Sequence, residues 1–333
     1  MRSLPLTFSG AGEPHPVALP RAEELTLVVH SGRMHADDVF AAAIVRLAAR
    51  GEGKTVRVDR SRNPSVWEAA DIVADVGGAY DPMRHRFDHH QPEGAGNRPN
   101  GVPYAAVGLV WKHYGMHLCD GNTTLWAFID ERIVAPIDAA DNGVELCEPL
   151  HPPLRPLSVH TYLWSLNPSW NAEEGREDEA FLEAVVWAED FLRHSLQKGA
   201  AYLEGLTFAY HELQHAREGI AVLQQPYPFE DLTPLFPEVK VVVHKRRDGM
   251  WQVVTMPEDP TASVTPPIFP AAWGGLTGEE LAAVSGVADA VFCHRGRWMC
   301  VARSQEGALT LARKALAAKA GGGDPSQEET QDR

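Results

Sequence analysis

The apolar and polar positions of this chain change periodicity several times, and the first ninety residues show it most sharply. Leu25-Thr26-Leu27-Val28-Val29 is a short, β-branched apolar run that suits a buried strand rather than a helix. The polar stretch 30–34 breaks it. From Asp37 onward Val39, Phe40, Ile44, Val45 and Leu47 recur at helical spacing as far as Gly51, with Asp37 or Asp38 as the cap. Residues 55–58 predict a second strand, 64–70 a short helix, and 72–76 a third strand closed by Gly77-Gly78. Strands alternating with helices predict a largely parallel sheet. In such folds the loop between a strand end and the next helix is where chemistry is placed.

Further along, 91–103 is rich in Gly, Pro and Asn and reads as a mobile loop, followed by helical patterns over 105–114 and 123–133. The proline-rich stretch 146–168 reads as a connector, and 173–179 as an acidic lead into a helix over 178–215. The second half predicts strands at 220–223, 239–244 and 251–255, with Arg247-Asp248-Gly249 as a hairpin turn. A helix at 276–285, strands at 290–294 and 298–302, a closing helix at 305–318 and a polar tail follow. The expected organisation is a loose arm over 1–22, an α/β domain over 23–165, bridging helices over 166–218, a smaller α/β domain over 219–318 and a disordered tail over 319–333.

Composition narrows the partners. At 333 residues two domains are the prior, and 44% apolar with 23% charged residues is ordinary for a globular chain with sizeable cores. The formal charge of -15 repels nucleic acid unless basic patches or bound cations offset it, which disfavours long duplexes. Four scattered cysteines without a CxxC pair predict reduced thiols, although Cys293 and Cys300 could meet across a hairpin. No apolar run approaches a membrane span and the N-terminus lacks a signal-peptide pattern, so no membrane partner and a cytoplasmic protein are expected.

Chemistry concentrates in three polar blocks, each directly after or close behind an apolar run. They are His30-Ser31-Gly32-Arg33-Met34-His35-Ala36-Asp37-Asp38, then Asp75 in Val73-Ala74-Asp75-Val76-Gly77-Gly78, then Asp88-His89-His90-Gln91. A single Asp or His at a strand end is usually a cap. Several in ordered blocks supply the O and N donors that a divalent metal needs. Further on, Asp138 and Asp141 sit three apart beside Gly143. No Ser/His/Asp or Cys/His nucleophile arrangement is evident. His85, His113 and His117 read as structural, His211-Glu212-x-x-His215 has the wrong order for a zinc-protease pair, and Trp164, Trp170, Trp187 and Trp273 read as packing residues.

In this order the blocks resemble the motifs of the DHH phosphoesterase superfamily. More narrowly, the phrases above, with Arg84-His85-Arg86-Phe87-Asp88-His89-His90-Gln91, Asp138-Ala139-Ala140-Asp141-Asn142-Gly143 and Gly274-Gly275-Leu276-Thr277-Gly278-Glu279, are similar to the MYG1 family over about residues 24–318. The resemblance implies an α/β fold: an N-terminal parallel-sheet, DHH-type catalytic domain with a smaller C-terminal, DHHA1-like α/β domain. It implies a two-metal hydrolase of phosphodiester bonds, a 3′–5′ exonuclease on short RNA or single strands. A pyrophosphate or nucleotide phosphohydrolase and a non-catalytic metal- or nucleotide-binding protein are the alternatives.

It also implies roles. Asp75 bridges two divalent ions, Mn2+ foremost and Mg2+ or Co2+ as alternatives. His30 and His35 complete one ion, and Asp37, His89 and Asp138 or Asp141 the other, with Asp141 favoured by the turn after it. The superfamily usually has Asp where His35 stands, so one ion gains an imidazole. Asp88 holds an imidazole N–H and His90 donates to the substrate phosphate. In the second domain Lys245, Arg246, Arg247, His294 and Arg295, with Lys240, His244, Arg297 and Arg303, form a basic strip for a phosphodiester tail. Relatives tend to carry a glycine pair where Trp298-Met299-Cys300-Val301 stands, which implies altered strand contact. A homodimer is left open.

Overall fold

The computed structural model describes residues 10–147, 157–172, 175–259 and 265–320, together with Phe8 and Leu154. The chain divides into two compact units, one within residues 7–200 and the other from Ala201 onward.

In the first unit β1 (Glu24–Val29) is the hub of the sheet. Its alternating and then continuous apolar pattern leaves Leu25, Leu27, Val28 and Val29 with no exposed surface, each contributing about 1.5–3 kcal/mol by burial. β2 (Thr55–Arg60) and β3 (Ile72–Ala74) pair with it in parallel on either side. β4 (Tyr80–Asp81) and β5 (Arg86–Phe87) extend the sheet, β5 parallel beside β3 and β4 antiparallel at the edge, giving the order β2-β1-β3-β5-β4. The C-terminal ends of β1, β3 and β5 therefore stand side by side.

Helix α1 (Ala36–Gly51) follows β1, and α2 (Pro64–Trp67) follows β2. α3 (Ala106–Leu118) packs along α1, whose Ala41, Ala42 and Ala43 are fully buried. α4 (Thr123–Ile129) and α5 (Ala135–Asp141) are joined by one π-helical turn over Asp130–Val134. The turn places Pro136 in the first turn of α5, where a missing N–H costs nothing. A break is what the sequence pattern predicts there, but the helical path continues to Asp141.

Two more helices follow, the second running on past Ala200. α6 (Val159–Leu166) interrupts the expected proline-rich connector, with Ser158 accepting from the Thr161 N–H as its cap. α7 (Arg176–Leu213) is the expected long helix; its Trp187 and Phe191 meet Phe40 edge-on, and its Glu189 pairs with both Arg46 and Arg50.

Two loops differ from expectation. The arm is not loose over its described part: the N–H groups of Gly10 and Gly12 bond Glu131 and Asp130, and those of His15 and Val17 bond Lys112 and His113 carbonyls. The 91–103 loop is pinned rather than free, because the Arg98 guanidinium is buried between Asp130 and Asp138. A lone arginine among Gly, Pro and Asn gives no sign of this in the sequence. Residues 1–7 and 9 of the arm, 148–153 and 155–156 of the connector, 173–174 of the acidic lead and the tail from 321 lie outside the described residues.

The second unit has a five-stranded sheet of β6 (Ile220–Leu223), β7 (Val241–Lys245), β8 (Trp251–Thr255), β9 (Ala290–Cys293) and β10 (Met299–Ala302) in the order β6-β7-β8-β10-β9. Only β6 and β7 are parallel. α8 (Gly278–Ser285) flanks β9, and α9 (Gln305–Ala320) lays Ala308, Leu311, Ala312 and Ala315 on Val241, Val243 and Val253. Trp298-Met299-Cys300-Val301 enters this sheet as β10, with Cys300 opposite Cys293 and both thiols free.

The register corrects the expected basic strip. Lys245 pairs with Trp251 at one end of β8, so the Lys245–Arg247 turn lies at that end. Met299 pairs with Val254 near the other end, where the Thr255 N–H bonds the Trp298 carbonyl, so His294, Arg295 and Arg297 lie there. Four strand steps of about 3.3 Å, roughly 13 Å, separate the two turns. Arg246 is moreover tied to Asp248 at 2.9 Å, and His294 packs its ring on Trp298 at 4.8 Å. A hairpin's charges are adjacent in sequence; whether two hairpins share a sheet end depends on strand order.

Candidate metal centre

Three neighbouring parallel strands deliver the site. His30 follows β1, Asp75 follows β3 and Asp88-His89-His90 follows β5, so strands about 4.8 Å apart set the donors side by side. Asp75 takes the left-handed conformation with φ 57°, uncommon outside glycine and best tolerated by Asp or Asn. Its N–H is held by the Phe87 carbonyl at 3.1 Å. The turn is completed by Gly77 at φ 101° and Gly78 at φ 66°. Gly78 then donates its N–H to Asp88 Oδ2 at 2.5 Å.

Asp88 organises the third loop. Its Oδ1 accepts from the His89 N–H at 2.8 Å and lies 2.8 Å from His90 Nδ1. Burial pushes its carboxyl up, but the His90 ring and the Gly78 N–H outweigh this and hold it below the usual range. The His90 ring is turned outward, its side chain 61% exposed.

Between the loops the donors converge. His30 Nε2 stands 3.2 Å from Asp38 Oδ2 and 3.3 Å from Asp75 Oδ2, while its Nδ1 faces the Ser31 carbonyl at 3.2 Å. His89 Nε2 stands 3.4 Å from Asp75 Oδ1, 3.3 Å from Asp141 Oδ2 and 3.7 Å from Asp37 Oδ2. Three groups result, His30–Asp38–Asp75, Asp37–His89–Asp141 and Asp75–His89–His90, each with donor atoms within 4.8 Å of one another. Asp75 and His89 are each shared by two of them.

The donor set fits divalent cations. Ligands about 2.1 Å from a common ion stand roughly 3.0–3.4 Å apart, close to the separations observed. Asp38 Oδ2, Asp75 Oδ1 and His89 Nε2 are buried without a hydrogen-bond partner, an arrangement that is costly unless a cation satisfies it. Burial, followed by the charges of Asp75 and Asp141, drives Asp37 well above the carboxylate range; burial takes Asp38 to about 7. Asp75 goes the other way, to about 2, because the close His30 and His89 rings outweigh its burial. One imidazole and two carboxylates in the first group favour hard to borderline ions such as Mn2+ or Mg2+.

Placement differs from expectation at three residues. His35 is near, its ring 5.5 Å from that of His30, but it is exposed and outside the three groups; Asp38 takes the position expected for it. Consecutive helix residues diverge by about 100°, so the adjacent acids at the start of α1 serve different groups; Asp37 is the expected ligand, whereas the sequence suggests only a capping role for Asp38. Asp138 is not in the cluster. Its Oδ2 accepts from Arg98 and its Oδ1 from the N–H groups of Ala105 and Gly108. Asp37 bonds the next two, from Ala106 and Val107, so two carboxylates absorb the N-terminus of α3 and fix its distance from the site. A side chain at Gly108 would overlap the Asp138 carboxylate.

The remaining residues are structural in this geometry. His85 bonds Tyr114 at 2.8 Å, His113 bonds Tyr80 at 2.8 Å, and Trp187 and Trp273 pack internally. Trp164 and Trp170, also expected to pack, are exposed.

A family model described as an uncharacterised protein family (UPF0160), MYG1_exonuc, matches residues 26–316, from the first residues of β1 into α9. The chain belongs to this family. Among curated MYG1 proteins it is similar to the MYG1 exonuclease of Homo sapiens, 29% identical over 322 residues covering 86% of this chain and 85% of that one. The MYG1 protein of Schizosaccharomyces pombe is 28% identical over 319 residues, covering 87% and 97%. Among solved structures, RecJ from Thermus thermophilus in complex with Mn2+ aligns with 89% of this chain and about half of its own (52%), at 13% identity and a TM-score of 0.26. That superposition is too loose to bear on the site. Every donor of this MYG1-family cluster lies inside the matched span. No helix among the described residues is long and apolar enough to cross a membrane.

Proposed function

We propose that this chain is a hydrolase that uses divalent metal ions to cleave phosphodiester bonds, acting as a 3′–5′ exonuclease on short RNA or single-stranded nucleic acid. The observation that carries the reading is the sharing of Asp75 and His89 between donor groups whose buried atoms lack other partners. Membership of a family whose curated members include exonucleases supports it.

Two ions are proposed, one held by His30, Asp38 and Asp75 and the other by Asp37, His89 and Asp141, with Asp75 common to both. Mn2+ is the first choice, with Mg2+ and Co2+ as alternatives. Ions bound there supply charge neutralisation at the phosphate and a water of lowered pKa. The chain's own residues do the rest. Asp88 orients His90, whose exposed ring presents a donor to a phosphate oxygen, and the Ser31 carbonyl fixes the His30 tautomer that leaves Nε2 as the donor. The α3 N–H groups hold Asp37 in place. The second unit is proposed as the substrate-holding module, through one of its two basic turns. The opposite placement of those turns favours a second reading, a phosphohydrolase of pyrophosphate or a nucleotide.

Purified protein with Mn2+ should shorten end-labelled RNA and DNA oligonucleotides from the 3′ end, and chelation should stop it. Turnover of pyrophosphate alone would establish the second reading. Intact oligonucleotides and intact pyrophosphate at saturating Mn2+ would exclude both.

A further inference from the structure

We propose that the cleft beside the metal cluster, between the 33–36 turn and α6, seats the terminal nucleobase of the substrate, with the Trp164 indole as its stacking platform. The inference rests on the phosphodiester reading above and names what that site recognises beyond phosphate.

The cleft is about 310 Å³, at the small end of ligand pockets and suited to one nucleoside rather than a longer segment. Arg33, His35, Asp141, Asn167 and, from α6, His160 and Trp164 line it. Asp141 lies 3.3 Å from His89 in the metal cluster, so the cleft opens directly from the place where a scissile phosphate would bind. A nucleotide whose phosphate occupies the cluster must put its sugar and base into a neighbouring space, and this one shares a residue with it.

Trp164 is the most exposed large side chain of its helix. Leu163 is 1% exposed, and Tyr162, 41% exposed, sets its ring 4.7 Å from that of Trp187. Trp164 is left 63% exposed, although an indole is among the costliest side chains to leave in water. The helix that carries it is bolted to the metal loop. Asn167 accepts from the Met34 N–H at 3.0 Å and donates to the Met34 carbonyl at 3.1 Å. The backbone that carries the indole is therefore held next to the metal loop before any ligand arrives, which a stacking platform requires. Aromatic stacking accepts any base, which matches an enzyme that must process successive nucleotides.

The test compares wild type, Trp164→Ala and Trp164→Phe with Mn2+ on three substrates. These are an oligonucleotide with an ordinary 3′-terminal nucleotide, the same strand ending in an abasic nucleotide, and a short phosphodiester of abasic sugars that carries no aromatic ring. Trp164→Ala should raise KM about ten-fold on the ordinary end and leave the other two unchanged, and Trp164→Phe should recover most of the loss. Wild type should discriminate against the abasic end by a similar factor. Equal effects on all three substrates, or none on any, would overturn the proposal. Direct binding of a nucleoside 5′-monophosphate against ribose 5-phosphate, read by isothermal titration calorimetry, gives an answer without turnover. If wild type hydrolyses no diester, the functional reading falls, yet a preference for the nucleotide that Trp164→Ala abolishes would still uphold the base site. No such preference, or a Trp164→Ala protein whose only change is its oligomeric state, would refute it.

Discussion

Replacing Asp75 by Asn tests the shared-ligand geometry most directly, and the structure dictates the choice of substitution. At φ 57° an alanine would add backbone strain of about 1–2 kcal/mol, whereas Asn tolerates this conformation as Asp does. The N–H bond to the Phe87 carbonyl is untouched, so the turn should keep its shape. What disappears is one negative charge that lies 3.3 Å from His30 and 3.4 Å from His89 and belongs to two donor groups. At about 4 Å and an effective dielectric near 20, one unit charge pair is worth roughly 4 kcal/mol. That corresponds to about three decades in rate or affinity. The expected outcome is hydrolysis reduced about 10³-fold, loss of most of the Mn2+-induced rise in Tm, and a metal-free variant less stable than the parent at neutral pH, because His30 and His89 hold the Asp75 charge favourably in the fold. Oligonucleotide cleavage and thermal scans with and without Mn2+ measure all three. A variant that keeps its rate within ten-fold and its metal-induced Tm shift would refute the reasoning.

Two further outcomes separate site from scaffold. Asp138→Asn leaves the buried Arg98 half-paired and should cost about 3–5 kcal/mol in denaturant unfolding without changing metal affinity, while Asp141→Asn should do the reverse; matching effects would show that the two acids share one role. Stability of the chelated protein should fall as pH rises from about 6.5 to 8, whereas below 6.5 the lowered values of His35, His85, His113, His160 and His244 work in the opposite sense. Asp37, Asp38 and Asp141 have folded pKa values raised above 3.8, Asp38 to about 7, so the folded state binds protons more tightly there. His30 and His90 are raised above 6.5, so their contribution is present below that pH and lost above it. Asp75, lowered to about 2, works in the opposite sense only below 3.8. The Mn2+-induced Tm shift should therefore grow across the same range as protons leave the ligands, and an equal shift at about pH 6.5 and pH 8 would contradict this.

Much of the first unit was legible in the sequence because its signals are local. The apolar run 25–29, the helical repeat after Asp37 and the Gly77-Gly78 stop each report a burial pattern within a few residues, and the structure places β1, α1 and β3 there. The three donor blocks were legible for the same reason, since a parallel sheet puts successive strand ends on one edge. What only tertiary structure decided is which neighbours those blocks meet. Asp37 and Asp38 are equivalent in sequence, but helix rotation sends one toward His89 and the α3 N-terminus and the other toward His30. Asp138 and Asp141 are equally acidic, but a buried guanidinium 40 residues away, at Arg98, claims the first and leaves the second for the cluster. The basic hairpins looked continuous until strand order set them at opposite ends of their sheet. Trp164 looked like packing until Asn167 fixed α6 with that face turned outward. Burial periodicity is written along the chain; the partner of a polar group is set by which distant residue the fold brings to it, and no short window of sequence carries that distance.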